Sequence, residues 1–192
     1  MKKLNVFFMM LFLATGLIAG EMSLDKSHTN VGFQVTHMVI TKVNGQFNDY
    51  EVKFNFDPKN LEAFNVETVI KVASVDTENE KRDEHLRSAD FFDTEKYPEM
   101  VFKSTKAVKT EDGYKAIGTL TIKDVTKQVE LPFIVTGPVK GPWGNTRYGI
   151  EAKTTIDRKD FNVLWNKTMD AGGVVVSDEV DIIINAQFIA AK

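Results

Sequence analysis

A short charged segment in the middle of the chain, KRDEHLR, carries the side chains best suited to chemistry. Arg82, His85 and Leu86 stand at positions i, i+3 and i+4, so a short helix would place them on one face. Asp83 and Glu84 would then turn away from that face. Guanidinium and imidazole groups donate hydrogen bonds to oxygen, so the pair could hold a diphosphate, quinone carbonyl or amide head group. The alternative is structural, with nearby carboxylates pairing with Arg82.

Aromatic residues also occur in irregular stretches, where loops are ordinarily hydrophilic. These residues are Phe91, Phe92, Tyr97, Trp143, Phe161 and Trp165. Several non-strand aromatics could gather round one opening of the fold, either as a plug or as a portal. We therefore expect them to contribute to a ligand-binding site.

Catalytic and metal-binding motifs are poorly represented. The three histidines, His28, His37 and His85, do not show the i, i+4 spacing of a helical metal site. The sequence also lacks a Gly-x-Ser-x-Gly elbow, a P-loop and a Rossmann fingerprint. An enzyme remains the alternative function, with His85 as general base and Arg82 stabilising a developing anion. We expect no catalytic residue, no metal and no cofactor.

The amino terminus predicts export. Lys2 and Lys3 precede an apolar run over residues 4–18, which is typical of a secretory signal peptide at residues 1–20, with an uncleaved membrane tether as the alternative. The chain has no cysteine, so neither a disulfide nor lipid acylation of a cysteine is available. Net charge is −3, which argues against nucleic acid as a partner. We expect a periplasmic domain over residues 21–192.

Period-two alternation dominates the remaining chain. Val31, Phe33 and Val35 share one face of a strand, while Asn30 and Gln34 share the other. Eight candidate strands follow this pattern, at residues 30–37, 43–56, 64–75, 100–108, 114–122, 128–136, 148–156 and 179–190. Short turn signals between most of them favour antiparallel pairing. The pattern predicts an all-β fold, either an eight-stranded antiparallel barrel or a two-sheet sandwich.

Phenylalanine is frequent on the apolar phases of these strands, with 14 in 192 residues. Phe33, Phe47, Phe102 and Phe133 pack first of all as core residues, but together they permit a greasy cavity. Each buried methylene contributes ~0.8 kcal/mol, so a long tube would suit an extended lipid tail. We therefore include these four residues among the candidate ligand-binding positions.

Several ordered motifs resemble those of the YceI-like family of bacterial periplasmic polyisoprenoid-binding proteins. The matching residues are Asp25, His28, Thr29, Val31, Phe33, Val35 and His37, then Arg82 to Leu86, Asp90 to Asp93, Tyr97 and Pro98, and Ile156 to Phe161. Two positions depart from the family pattern, since Asn162 and Asp124 stand in turns where many members carry glycine.

The resemblance implies a lipocalin-like barrel, with a short helix and an irregular segment between the third and fourth candidate strands. It implies binding of a long-chain isoprenoid or aliphatic lipid, such as an isoprenoid quinone, prenyl diphosphate or fatty amide, for transport or storage. It also implies a homodimer, and we expect transient contact with a membrane. A third alternative is a structural or stress-protective protein whose interior is filled by side chains.

Overall fold

The structure is a computed structural model that describes residues 22–170 and 172–191. The signal peptide predicted at residues 1–20 lies outside these residues. Among the helices that are described, none has the length and apolar character needed to cross a bilayer.

Strands account for most of the described chain. They are β1 (Met22–Leu24), β2 (Asn30–His37), β3 (Thr41–Phe47), β4 (Tyr50–Asn55), β5 (Asn65–Lys71), β6 (Val75–Asp76), β7 (Glu99–Lys109), β8 (Tyr114–Ile122), β9 (Val125–Lys140), β10 (Thr146–Asp157) and β11 (Val176–Ala190). One α-helix, α1 (Glu80–Arg87), separates β6 from β7. Short 3-10 turns occupy Lys26–His28, Leu61–Ala63, Val72–Ser74 and Arg158–Phe161.

All the paired strands run antiparallel in one curled sheet. Its order is β4-β5-β7-β8-β9-β10-β11-β2-β3-β6, with β1 added to β11. The two ends of this order adjoin, because β4 continues from β3 after two residues and β6 continues from β5 after a single 3-10 turn. Backbone hydrogen bonds from Lys71 to Asp49 and from Asn48 to Ser74 bridge the two bends. The sheet thereby closes into a barrel.

Along the longer strands, side chains alternate between the barrel interior and the surface. On β9, Val129, Leu131 and Phe133 are turned inward, while Glu130 and Pro132 between them are exposed. β11 follows the same phase, with alternate residues from Val180 to Phe188 pointing into the barrel. Strands with one apolar face can bury it only against other apolar faces, and barrel closure achieves this for all of them.

The predicted all-β barrel is confirmed, and so is the helix between the third and fourth candidate strands. The candidate strand at residues 43–56 divides into β3 and β4 at Asn48-Asp49, and that at residues 64–75 divides into β5 and β6 at a 3-10 turn. The additional strand β1 pairs along the end of β11. The described residues therefore form eleven strand segments, and the two-sheet sandwich is wrong.

The buried residues form two clusters, one toward each end of the barrel. The first, beside α1, includes Phe47, Phe91 and Phe161, and the second, at the opposite end, includes Phe133 and Phe188. Strands β10 and β11 run side by side from one end to the other. Their pair Asp157–Glu179 lies at the first end, and their pair Thr146–Ala190 lies at the second. We call these the helix end and the far end.

Candidate functional site

The barrel encloses an apolar cavity of about 240 Å³. Its lining on β11 alternates from Val180 to Phe188. Eight residues of strand cover ~26 Å at about 3.3 Å per residue, or ~20 Å along the barrel axis for a tilt near 40°. The lining reaches Phe91 at the helix end and Phe133 toward the far end. The cavity is therefore long and narrow, a shape that suits an extended chain.

An empty cavity of this kind would be costly to the folded state. Apolar cavities of comparable size stay dry, because water finds no polar partners in them. The side chains that line unfilled apolar space also lose the van der Waals contacts that partner atoms would give them. A bound apolar tail would recover much of that free energy. The side chains of the described residues therefore leave space in the interior that a ligand could fill.

The helix α1 is fixed by polar contacts at its first turn. The Asn79 side chain accepts a hydrogen bond from the Arg82 backbone N–H (3.0 Å), which caps the helix. Asp83 is buried and accepts from both the backbone N–H and the hydroxyl of Thr77 (3.0 and 2.5 Å). The expectation that Asp83 turns away is wrong, because the preceding turn brings Thr77 within reach of its carboxylate. These contacts hold Leu86 against the cavity.

Arg82 is directed away from the cavity. Its Nε and Nη2 donate to the hydroxyl and carbonyl oxygens of Thr77, both at 2.7 Å. It forms no ion pair with a carboxylate in the described part of the chain. The structural alternative is therefore wrong about the partners of Arg82, which belong to Thr77. The guanidinium instead tightens the turn that precedes α1.

His85 lies behind the cavity wall, within an aromatic cluster. Its Nε2 lies 3.0 Å from Oδ2 of Asp90. Its ring meets the rings of Phe91 and Trp165 edge-on, with centroids 5.0 and 4.9 Å away, and those two aromatics lie 5.1 Å apart. After α1 the chain folds back through a hydrogen bond from the Phe92 N–H to the Leu86 carbonyl (3.0 Å). Phe91 and Phe92 thereby reach the cavity, whereas His85 does not line it.

Arg158 carries the single charge among the cavity-lining side chains of the described residues. It follows β10 in the 3-10 turn and is only 5% exposed. Its Nε donates to the Ser177 carbonyl (2.9 Å), its Nη1 to the Val163 carbonyl (2.6 Å) and its Nη2 to Asp178 Oδ1 (3.4 Å). Burial lowers the pKa of the guanidinium, while Asp178 and Asp157 act in the opposite direction.

The candidate ligand-binding residues divide into two groups of six. The cavity is lined by Phe33, Phe47, Phe91, Phe92, Phe102 and Phe133. The remaining six lie outside its lining: Arg82, His85, Tyr97, Trp143, Phe161 and Trp165. The strand phenylalanines and the pair after α1 are therefore brought together, while the polar pair predicted for the head group is not.

The other aromatics have separate positions. Phe161 is a core residue, 2% exposed, and Trp165 contacts Phe91 from outside the cavity. The Tyr97 ring lies near the ammonium groups of Lys96 and Lys123. Trp143 is 73% exposed on the β9–β10 connection at the far end. The expectation that all of these aromatics surround one opening is wrong for Trp143, because the β10 strand separates it from the helix end.

Arg158 was not predicted as a candidate, because a run of charges in a turn usually lies in solvent. A signal was nevertheless present, since Thr154, Ile156 and Arg158 continue one alternate phase of β10, and all three line the cavity. Metal-binding clusters of three or more acidic, histidine or cysteine residues are absent from the described parts of the chain.

A polar cluster ties the N-terminal segment to the barrel at the far end. Asp25 Oδ2 accepts from Nη1 of Arg147 (2.8 Å) and from Nε2 of Gln187 (2.9 Å). Its Oδ1 accepts from the Ser27 hydroxyl at 2.6 Å. Hydrogen bonds from Ser27, His28 and Arg147 hold the Asp25 pKa well below its usual range, although burial acts the other way. The cluster therefore stabilises the fold most strongly in its ionised form.

Comparison with known proteins assigns this barrel to a family. The YceI-like domain model matches residues 22–188. The chain belongs to the YceI-like family. A UPF0312 protein of Yersinia enterocolitica is 39% identical over 185 residues, which cover 95% of this chain and 93% of that protein.

Solved structures of the same fold extend the likeness. The crystal structure of the Campylobacter jejuni YceI protein is 36% identical, with a TM-score of 0.69 over 90% of this chain and 99% of that chain. A polyisoprenoid-binding domain from Saccharophagus degradans gives a TM-score of 0.60 at 14% identity, over 90% of this chain and 99% of that one. At that identity the likeness shows the fold.

The two positions that depart from the YceI-like pattern contact one another. Asn162 adopts the left-handed conformation (φ 59°) that glycine would favour, and its side-chain amide donates to Asp124 Oδ1 at 3.2 Å. This hydrogen bond is the main cause that lowers the Asp124 pKa. The Lys123 ammonium also donates to the Asn162 carbonyl (3.0 Å). The β8–β9 turn is thus tied to the turn that contains Arg158.

Proposed function

We propose that this protein binds a long-chain amphiphilic lipid in its barrel and does not alter it chemically. The observation that carries the proposal is the continuous apolar cavity, about 240 Å³ in volume, between the two core clusters. Its volume is slightly below the usual range of about 300–1,000 Å³ for ligand pockets, which favours a thin chain over a bulky ring system. The tail of a polyisoprenoid, an isoprenoid quinone or a fatty amide meets this requirement.

The free energy of binding would come chiefly from the tail. Ten buried carbons contribute ~8 kcal/mol before ordering costs are subtracted, at about 0.8 kcal/mol each. That gross value approaches micromolar affinity. The polyisoprenoid-binding domain of Saccharophagus degradans shares the barrel fold, and its ligand class is the first that we would test.

We infer a carrier or storage role in the periplasm, after removal of residues 1–20. Neither side chain of the catalytic alternative faces the cavity, since Arg82 binds Thr77 and His85 packs against Phe91 and Trp165. A lipid inside the barrel would therefore not meet either group. We also propose transient contact with a membrane and a homodimer.

The test begins with protein purified from its native compartment under non-denaturing conditions. Organic extraction followed by mass spectrometry should release one isoprenoid or aliphatic lipid in near-stoichiometric amount, absent from a control protein purified in parallel. Delipidated protein should then bind that lipid again, measured by displacement of an apolar fluorescent dye. Recovery of no lipid, together with no binding of added polyprenols, quinones or fatty amides, would refute the proposal.

A further inference from the structure

Among the described residues that line the cavity, one side chain is charged and it lies at the helix end, and this asymmetry bears on how a ligand lies. The far end is lined by Phe64, Phe133 and Phe188, which offer no hydrogen bond to a ligand. The helix end contains Arg158, held beside Val163 and Val176 in the lining. Three threonines, at positions 29, 68 and 154, are the other polar residues of the lining. An amphiphile in the cavity therefore meets one cationic group.

The Arg158 guanidinium retains hydrogen-bonding capacity. It has five N–H groups, and three donate within the described residues, to Ser177, Val163 and Asp178. The remaining two belong to its terminal nitrogens, and the side chain is only 5% exposed. In a cavity lined almost entirely by apolar side chains, a buried donor gains most from an oxygen acceptor supplied by the ligand.

We propose that Arg158 selects and orients the ligand by donating to a carbonyl oxygen of its head group, with the tail directed toward Phe133 and Phe188. This inference rests on the proposed lipid-binding function and adds the direction of the lipid and the chemistry of its head. Arg158 thereby takes the part that the sequence suggested for Arg82 and His85.

A neutral carbonyl fits the site better than a phosphate or diphosphate. The charge of Arg158 is already balanced in part by Asp178, whose Oδ1 lies 3.4 Å away. A diphosphate would bring several charged oxygens beside valine side chains, where most of them would lack donors. Burying charge without such partners is strongly unfavourable. Amides and quinones carry the compact acceptor that two N–H groups can satisfy.

Trp165 provides a direct measure of orientation. The chain has two tryptophans, and Trp143 is exposed at the far end. The Trp143→Phe variant retains Trp165, which contacts Phe91 at the helix end, as its tryptophan. Two octadecanamide probes would be used, one brominated beside the carbonyl and one at the tail terminus, because bromine quenches tryptophan at short range.

The head-brominated amide should quench Trp165 several-fold more than the tail-brominated amide at equal occupancy. Occupancy is measured separately by displacement of an apolar dye. Stronger quenching by the tail-brominated probe would overturn the orientation, although lipid binding itself would stand. If neither probe displaces the dye, the proposed function fails as well, so the two failures are distinguishable.

The role of Arg158 is tested with matched ligands and a matched variant. Arg158→Gln should weaken octadecanamide binding by about 10-fold to 100-fold, while octadecane binding stays within about two-fold of the native value. Lys159→Gln is the control, since Lys159 contacts the same Asp178 (2.8 Å) but does not line the cavity. Equal losses for amide and hydrocarbon, or tighter binding of octadecyl phosphate than of the amide, would overturn the proposal. Because wild-type Arg158 is present in the quenching experiment, misfolding of Arg158→Gln would leave that test intact.

Discussion

Filling the cavity from within should stabilise the empty protein and weaken its binding of lipid. Ala152 lies on β10, between Phe133 of β9 and Ile184 of β11, and lines the cavity. Ala152→Leu adds three carbon atoms, which contribute ~2.4 kcal/mol if they fill void without strain, at about 0.8 kcal/mol per buried carbon. We expect the free energy of unfolding of delipidated protein to rise by about 1–2 kcal/mol, since some strain will offset the gain.

The neighbouring residue gives the control. Glu151 precedes Ala152 on the same strand, is exposed, and faces outward. Glu151→Leu therefore introduces the same side chain on the opposite face of the sheet. Urea unfolding monitored by circular dichroism measures stability, and dye displacement by an isoprenoid or fatty amide measures affinity. We expect about a 10-fold loss of affinity in Ala152→Leu, equivalent to ~1.4 kcal/mol of excluded tail contact, and little change in Glu151→Leu.

Two results would refute this reasoning. A loss of about 1–3 kcal/mol in Ala152→Leu alone, with lipid affinity unchanged, would mean that the interior is already filled and that leucine overpacks it. Equal lipid affinity in the two variants and the native protein would place the ligand outside the barrel. Either outcome would return weight to the structural or catalytic alternatives.

Three further predictions concern residues away from the cavity. Hydrogen bonds lower the Asp25 pKa, so the stability that they provide is present above the unfolded pKa near 3.9 and is lost as the pH falls below it. Asp25→Asn should therefore lower the free energy of unfolding by about 2–3 kcal/mol at pH 7. Urea unfolding measured at a series of acid pH values should show a smaller loss of stability with falling pH in this variant than in the native protein. Asn162→Ala should lower the free energy of unfolding by about 1–2 kcal/mol, and Asn162→Gly should lower it less, because glycine adopts the left-handed conformation more readily. NMR titration should show a higher Asp124 pKa in both variants, since both lose the hydrogen bond from Asn162. Equal losses of stability would contradict the importance of the left-handed conformation at this position. Arg82→Ala should lower stability by about 1 kcal/mol through lost contacts with Thr77 while lipid affinity stays unchanged, and a large loss of affinity would reinstate a head-group role.

The barrel could be predicted because its determinants are local and repeated. Alternation in segments such as Val129, Leu131 and Phe133 states which face of a strand is buried, and short turns state that neighbours pair antiparallel. Closure into a barrel rather than a sandwich could not be predicted from alternation, since both architectures bury one face of each strand. The bends at Asn48-Asp49 and Val72–Ser74 decide it, and they depend on pairing between distant segments.

The candidate site was predictable in its apolar part and not in its polar part. Phe33, Phe102 and the other strand phenylalanines lie on inward phases that the sequence displays directly. The directions of Arg82 and His85 depend instead on the turn at Thr77 and on Trp165, which joins the cluster from a distant segment. Helical spacing places side chains on a face, but the tertiary contacts of that face determine what the side chains bind.

Arg158 shows why the polar part requires the whole fold. Taking a guanidinium out of water is strongly unfavourable, so an arginine flanked by charged residues in a turn is ordinarily assigned to the surface. Here the carbonyls of Ser177 and Val163 replace water, and Asp178 supplies partial counter-charge. Ser177 and Asp178 lie 19 and 20 residues after Arg158 in the sequence, so no local sequence pattern indicates these contacts. The contacts that make burial of the charge tolerable use three of its five N–H groups, and the proposed head-group contact uses the other two.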